Sequence, residues 1–317
     1  MKLKALSHYD KDMNTRFGDC IMLYDQNSLI VYDCGNERHA EEVENFLKHH
    51  DGNKDVYIVV SHNDSDHTNG VCSLLEWLHE NKQNSNVKVY THQLLKYKDE
   101  ITDKIDDKRR NRQSIGNAIL EEFNHIKEII DTARNFGFDR IEAKKDTKVG
   151  KAIIVGPTEE DFLEAAVKAI DKRTSDKVGE GDGSETYMNA ASVQLECEIE
   201  DGNKILLCGD ASPDFLPDHL NYNIIQLPHH GRLDNAKAIF NDIEKDGDDP
   251  QEKYYLISDN TGSGEKSGGS DDLVEYMKNE KYSPAFNTKD GVVDLPEQIN
   301  TISSKQTRRP LGDLDCF

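Results

Sequence analysis

Short apolar runs alternate with amphipathic stretches along most of the chain. Lys2 to Leu6, Cys20 to Tyr24 and Ser28 to Tyr32 read as opening strands, the last two joined by a turn at Asp25-Gln26-Asn27. Val56 to Val60 is an apolar run of buried-strand length. Before it, Glu41 to His50 carries Val43, Phe46 and Leu47 at helical spacing, and after it Val71, Leu74, Leu75 and Leu78 repeat that spacing. Val87 to Tyr90, Lys151 to Gly156, Val193 to Ile199, Lys204 to Cys208, Asn223 to Leu227 and Tyr254 to Ile257 are further strands, with Asp201-Gly202-Asn203 turning a hairpin. Pro157-Thr158-Glu159-Glu160 opens a helix, and Ser270 to Met277 is a closing one with Asp271 and Asp272 in its first turn. Strands alternating with helices predict an α/β sandwich. From about Lys96 to Glu142 the pattern turns helical, with Ile115, Ile119, Phe123, Ile126 and Ile130 in one stripe. Beyond the closing helix, the tail to Phe317 reads as irregular.

Composition narrows the classes. At 317 residues the chain is long enough to bury a large core, yet it is very polar, 35% hydrophobic and 32% charged. No apolar run reaches membrane-spanning length, and Met1-Lys2-Leu3-Lys4 leads directly into strand-like sequence, so a cytoplasmic location is expected. Six cysteines without a C-x-x-C pair are expected to be reduced structural thiols. A net charge of -22 weighs against tight binding along a nucleic-acid backbone, which depends on Lys and Arg neutralising phosphates.

The chemistry gathers where the Val56–Val60 run stops. His62, Asp64, Asp66 and His67 place four possible metal ligands within six positions before a turn at Thr68-Asn69-Gly70. Crowded carboxylates and imidazoles need a cation among them. The bland alternative is a polar strand-to-helix turn with a capping Asp. Farther on, a strand ends in Gly209-Asp210, and another runs into Pro228-His229-His230-Gly231.

The pattern His62-x-Asp64-x-Asp66-His67 resembles the H-x-[HD]-x-D-H signature of the metallo-β-lactamase fold. More narrowly, it resembles the branch typified by the metallo-β-lactamase domain of the bacterial competence DNA-uptake channel, which also has Asp at the second position. Gly18-Asp19, Asp33-x-Gly35, the Gly-Asp after a strand and the His-His-Gly extend the likeness over residues 17–92 and 150–275. It implies one αββα sandwich domain over residues 1–317, with a helical insertion at about 93–146 outside the family pattern. It further implies one ion at His62, Asp64 and Asp210, and another at Asp66, His67, Asp210 and one of His229 and His230. Asp33 would support the ligand loop from below. Two departures stand out: Asn189 holds a place where many relatives have His, and Lys266-Ser267-Gly268-Gly269 replaces a loop that usually carries one.

Two divalent ions, expected to be Zn²⁺ or Mn²⁺, would lower the pKa of a shared water toward about 7 and stabilise charge on a phosphodiester. Asp66, His229 and His230 are then the candidate catalytic residues, with a free imidazole able to protonate a leaving group. A phosphodiesterase or nuclease is the leading expectation, with a phosphoester or nucleic acid as substrate and no membrane partner. The alternatives are a hydrolase of a small nucleotide or ester, with the 179–184 loop as a lid, and a non-catalytic regulatory protein on the same scaffold. The basic cluster Lys108, Arg109, Arg110 and Arg112 either holds substrate phosphates or forms a solvated helix face.

Overall fold

Two mixed sheets of seven strands each stand face to face in a computed structural model that describes residues 1–6, 18–50, 54–82, 85–92, 94–105, 112–174, 187–218, 221–259, 271–282 and 285–307. The first sheet contains β1 (Lys2–Ala5), β2 (Ile21–Tyr24), β3 (Ser28–Tyr32), β4 (Asp55–Val59), β5 (Val87–Thr91) and β6 (Asp139–Glu142). The second contains β7 (Lys148–Val149), β8 (Ala152–Gly156), β9 (Gln194–Glu198), β10 (Lys204–Leu207), β11 (Ile224–Gln226), β12 (Tyr254–Ile257) and β13 (Ala285–Asn287). The chain then returns to the first sheet, where β14 (Val293–Leu295) pairs antiparallel with β1.

Helices cover both outer faces. Between β3 and β9 come α1 (Glu37–His49), the single turn α2 (Ser65–Thr68), α3 (Val71–Asn81), α4 (Lys98–Lys104), α5 (Arg112–Glu122), α6 (Asn124–Asn135), α7 (Glu159–Thr174) and the short α8 (Tyr187–Ala190). The rest are the short turn α9 (Pro228–Gly231), α10 (Leu233–Lys245), α11 (Asp271–Asn279) and α12 (Glu297–Thr307).

The side-chain period of two sorts each strand between layers. In β3, Leu29 and Val31 face a helical layer built on Val43, Leu74, Leu75 and Ile129, while Ile30 and Tyr32 face the second sheet. In β10, Ile205 and Leu207 point inward and Leu206 points out to Ile239, Phe240 and Leu273. The result is an αββα sandwich, of the α/β class that the strand and helix pattern predicts.

Two stretches differ from the sequence reading. The region read as helical to Glu142 ends in a strand: β6 pairs in parallel with β5 from Lys88↔Asp139 to Thr91↔Glu142. Asp139-Arg140-Ile141-Glu142 is a polar edge strand, so it carries no apolar alternation to read. The tail is ordered through residue 307, with β13, β14 and α12 in place of an irregular segment. Three-residue strands are too short to show a period, and their identity comes from the ladders they complete: Val293 and Leu295 bury between the sheets through β1. Lys108, Arg109, Arg110, the 179–184 loop, Lys266 to Gly269 and the last ten residues lie outside the described residues.

Candidate metal centre

The carboxyl ends of β3, β4, β10, β11 and β12 open onto one side of the sandwich, because β3 and β4 run parallel, as do β10, β11 and β12. Four of these strands end in a motif read from the sequence, Asp33 after β3, His62 to His67 after β4, Asp210 after β10 and His229-His230 after β11, and Ser258 follows β12. In open α/β sheets, ligand sites form at these ends.

Asp210 is the hub. Its carboxylate oxygens lie 3.9 Å from His62 Nε2, 3.4 Å from His67 Nε2, 3.3 Å from His229 Nδ1 and 3.9 Å from His230 Nε2. His230 Nε2 is also 3.3 Å from Asp66 Oδ2. Three of the four imidazoles have their Nδ1 engaged at the back of the site. His67 Nδ1–H donates to Asp33 Oδ2 at 2.8 Å, His230 Nδ1–H to the Ser258 carbonyl at 3.0 Å, and His62 Nδ1 is 2.9 Å from Ser61 Oγ. Their Nε2 atoms therefore face inward, and those of His62 and His67 have no hydrogen-bond partner although both rings are buried. Asp19 Oδ1, Asp210 Oδ1 and His229 Nδ1 are buried and likewise make no hydrogen bond. Unpaired buried polar atoms cost about 1–3 kcal/mol each, and so many converging on one spot fit a cation. Among the described residues, two sets of three such groups have ligand atoms within 4.8 Å of one another: His62, His67 and Asp210, and Asp19, His67 and His230. Either set is disposed to hold a metal ion.

The electrostatics agree. Burial disfavours charge on His67 and His230, but Asp210, together with Asp33 beside the first and Asp19 beside the second, outweighs it and holds both imidazoles well above their ordinary value. Burial likewise opposes the charge on Asp210, and the surrounding histidines hold it well below the usual carboxylate range. His229 goes the other way, lowered by burial despite Asp210. The carboxylates of this centre draw positive charge inward.

Backbone geometry sets these side chains. Asp33, His229 and His230 all lie in the left-handed region, at φ 59°, 54° and 54°. Gly18 and Gly35 bring their loops onto the ligand loop from below, where a Cβ on either would meet the Asp66 carbonyl oxygen at 2.3 or 1.9 Å. That approach lets Asp19 N–H donate to the Asp66 carbonyl at 2.9 Å and Cys34 N–H to the His67 carbonyl at 3.0 Å. Asp64 occupies the N-cap of α2 but makes no capping bond; its carboxylate instead accepts from Asn189 Nδ2 at 2.8 Å. The capping alternative therefore does not describe this residue.

All seven residues singled out in the sequence meet here, and Asp33 lies beneath them, accepting from Ser61 N–H at 2.7 Å and from Ser61 Oγ at 2.6 Å. Two residues had no assigned role. Asp19 was only a landmark before β2; in space it faces His230 Nδ1 at 3.2 Å. Gln226 passed as part of an apolar strand. It is buried, donates to Asp19 Oδ2 at 2.7 Å, and accepts from the backbone of Cys208 at 2.9 Å and of Gly209 at 3.2 Å. A glutamine inside Ile-Ile-Gln-Leu was the available signal, since a buried amide must be paired.

No protein-family model matches the chain. No curated protein matches it either. Solved structures similar to it include the metallo-β-lactamase-fold protein YhfI from Bacillus subtilis, at 10% identity and TM-score 0.47 over 90% of this chain and 96% of that one. Others are human tRNase Z, short form, at 10% identity and TM-score 0.39 over 93% and 100% of the two chains, and a Cronobacter sakazakii metallo-β-lactamase with an HARLDQ motif, at 13% identity and TM-score 0.34 over 93% and 91%. Similarity this distant leaves the site to be argued from its own residues.

Proposed function

We propose that the chain is a metal-dependent hydrolase whose substrate is a phosphodiester. The observation that carries this is Asp210 facing four imidazoles, with the buried Nε2 atoms of His62 and His67 unpartnered. His62, Asp64 and Asp210 would hold one divalent ion, and Asp19, Asp66, His67, Asp210 and His230 a second. Such ions, Zn²⁺ or Mn²⁺, supply an acidified water and neutralise phosphoryl oxygens. Oxygen donors from four aspartates shift the preference toward the harder Mn²⁺.

The chain's own groups do the rest. Asp33, Ser61 and Ser258 hold three imidazoles in orientation from behind. His229 is the one of these four imidazoles whose Nδ1 makes no hydrogen bond, and it is positioned to deliver a proton to the leaving oxygen. Asn189 holds Asp64 in place through the hydrogen bond that its Nδ2–H donates to the Asp64 carboxylate.

A second reading, hydrolysis of a small nucleotide or ester, is favoured by the net charge of -22, which opposes approach of a long polyanion. The test is elemental analysis of the purified chain and of the Asp66→Ala, His67→Ala variant, with hydrolysis of bis-p-nitrophenyl phosphate under added Mn²⁺ or Zn²⁺. Expected are about two metals per chain and turnover that falls by about a hundredfold or more in the variant. A wild-type chain that binds no metal would overturn the proposal. Cleavage of single-stranded DNA in the same assay would select a nuclease.

A further inference from the structure

The helical segment between β5 and β6 contains a cleft of about 310 Å³ between α5 and α6, built from none of the metal-centre residues. Ile119, Leu120, Phe123, Ile126 and Ile130 wall it, and three of these are almost wholly buried. Small-molecule sites begin at about this volume, with apolar walls and a few placed polar groups. The polar groups here stand at the rim and at one wall. At the rim, Lys127 and Arg134 share a single carboxylate, Asp131, each at 2.7 Å, so two cations face one anion. Lys96 adds a third cation, 3.3 Å from Glu142. In a chain of net charge -22 this is a local reversal of sign.

At the wall is His92, buried, its ring stacked on Phe162 with centroids 4.0 Å apart. Nε2 lies 3.3 Å from the Ala191 carbonyl, to which it donates, so the neutral ring keeps a lone pair on Nδ1. Apolar walls suit a ring, the imidazole offers an acceptor, and the surplus positive charge suits an anion.

We propose that the cleft between α5 and α6 binds an aromatic phosphate, the class that includes aryl phosphates and single nucleotides, with its ring among Phe123, Ile126 and Ile130 and its phosphate at Lys127 and Arg134. The same helix connects the cleft to the metal centre. Ile126 lines the cleft with its side chain while its N–H donates to Asn63 Oδ1 at 3.0 Å, and His125 Nδ1 is 2.9 Å from the Asn63 carbonyl. A ligand here would sit on the helix whose first turn braces the His62–His67 loop.

The test is calorimetric titration of 1-naphthyl phosphate into the full chain in EDTA, alongside the Asp66→Ala, His67→Ala variant, Leu120→Glu, and Lys127→Glu with Arg134→Glu. Leu120 is 36% exposed and the two cations lie at the surface, so these changes are expected to leave the melting temperature unaltered. Expected is one-to-one binding that survives EDTA and the metal-centre variant, and that weakens at least about tenfold in the cleft variants. Inorganic phosphate and 1-naphthol should each bind at least about tenfold more weakly than the ester. Binding lost with the metal centre but indifferent to the cleft variants would overturn the proposal, as would no binding at all or equal binding of 1-naphthol. Because the titration needs no metal, its outcome is separate from that of the hydrolase test.

Discussion

Asp33 does more than its place in a hairpin exit implies. It is fully buried, sits at φ 59°, and accepts from Ser61 N–H, Ser61 Oγ and His67 Nδ1. An Asp tolerates the left-handed region better than most residues, and here the conformation aims both oxygens at the ligand loop. Asp33→Asn keeps the size and the backbone but turns one acceptor into a donor facing donors. The expected result is a loss of about 10–100-fold in metal affinity, read by competition with a chelating dye. Unchanged affinity would remove Asp33 from the support of this centre. The motif Asp33-Cys34-Gly35 was legible in the sequence, but the need for Gly35 was not. That need arises from the Asp66 carbonyl oxygen, 31 positions away in the chain, which a Cβ would strike.

At the scale of elements, α6 and the ligand loop form one unit. Asn63 stands between two candidate ligands, accepts from Ile126 N–H and donates to Asn124 Oδ1 at 3.1 Å. His125 closes the brace from the other end, with Nδ1 3.2 Å from Thr68 Oγ1. Asn63→Ala removes two neutral hydrogen bonds worth about 0.5–1.5 kcal/mol each. Amide exchange at Ile126 is expected to speed up about tenfold or more, with a smaller loss of metal affinity. Exchange that stays at the wild-type rate would show that α6 is held by its apolar face alone. The apolar stripe of α6 was readable in part from spacing: Ile126 buries as read, whereas Ile129 is buried and Ile130 only half-buried, because the helix is turned by one position against its neighbours. The polar brace was not, because Asn63 looks like any loop asparagine until the helix is set against it.

For the whole molecule, the joint between the helical segment and the second sheet passes through His92. Burial lowers its pKa to about 4, against which the Ala191 carbonyl gives only partial support. An unfolded His takes up a proton near pH 6.5 and the folded one does not until about pH 4, so stability falls as pH drops through that window. Between pH 7 and pH 5 the wild type is expected to lose about 2 kcal/mol more than His92→Gln, measured by urea unfolding at both values. Equal pH dependence in the two proteins would show that His92 ionises without opening this joint. Among the described residues no helix is long and apolar enough to cross a membrane.

The sequence by itself determined the α/β class and showed most of the residues that gather at the candidate centre. Hydrophobic period is a local property, so β4, β10 and β12 could be read within a residue of their ends and α3 from its start, and four possible ligands packed into six positions announce themselves without a fold. Tertiary structure decided what depends on residues far apart. It placed Asp19 and Gln226 with His230, gave His230 the inward Nε2 by tying its other nitrogen to Ser258, and left His229 nearer the surface. It also made strands of Asp139–Glu142 and Val293–Leu295, whose short or polar sequences carry no period and which become strands only because a neighbour supplies the hydrogen bonds.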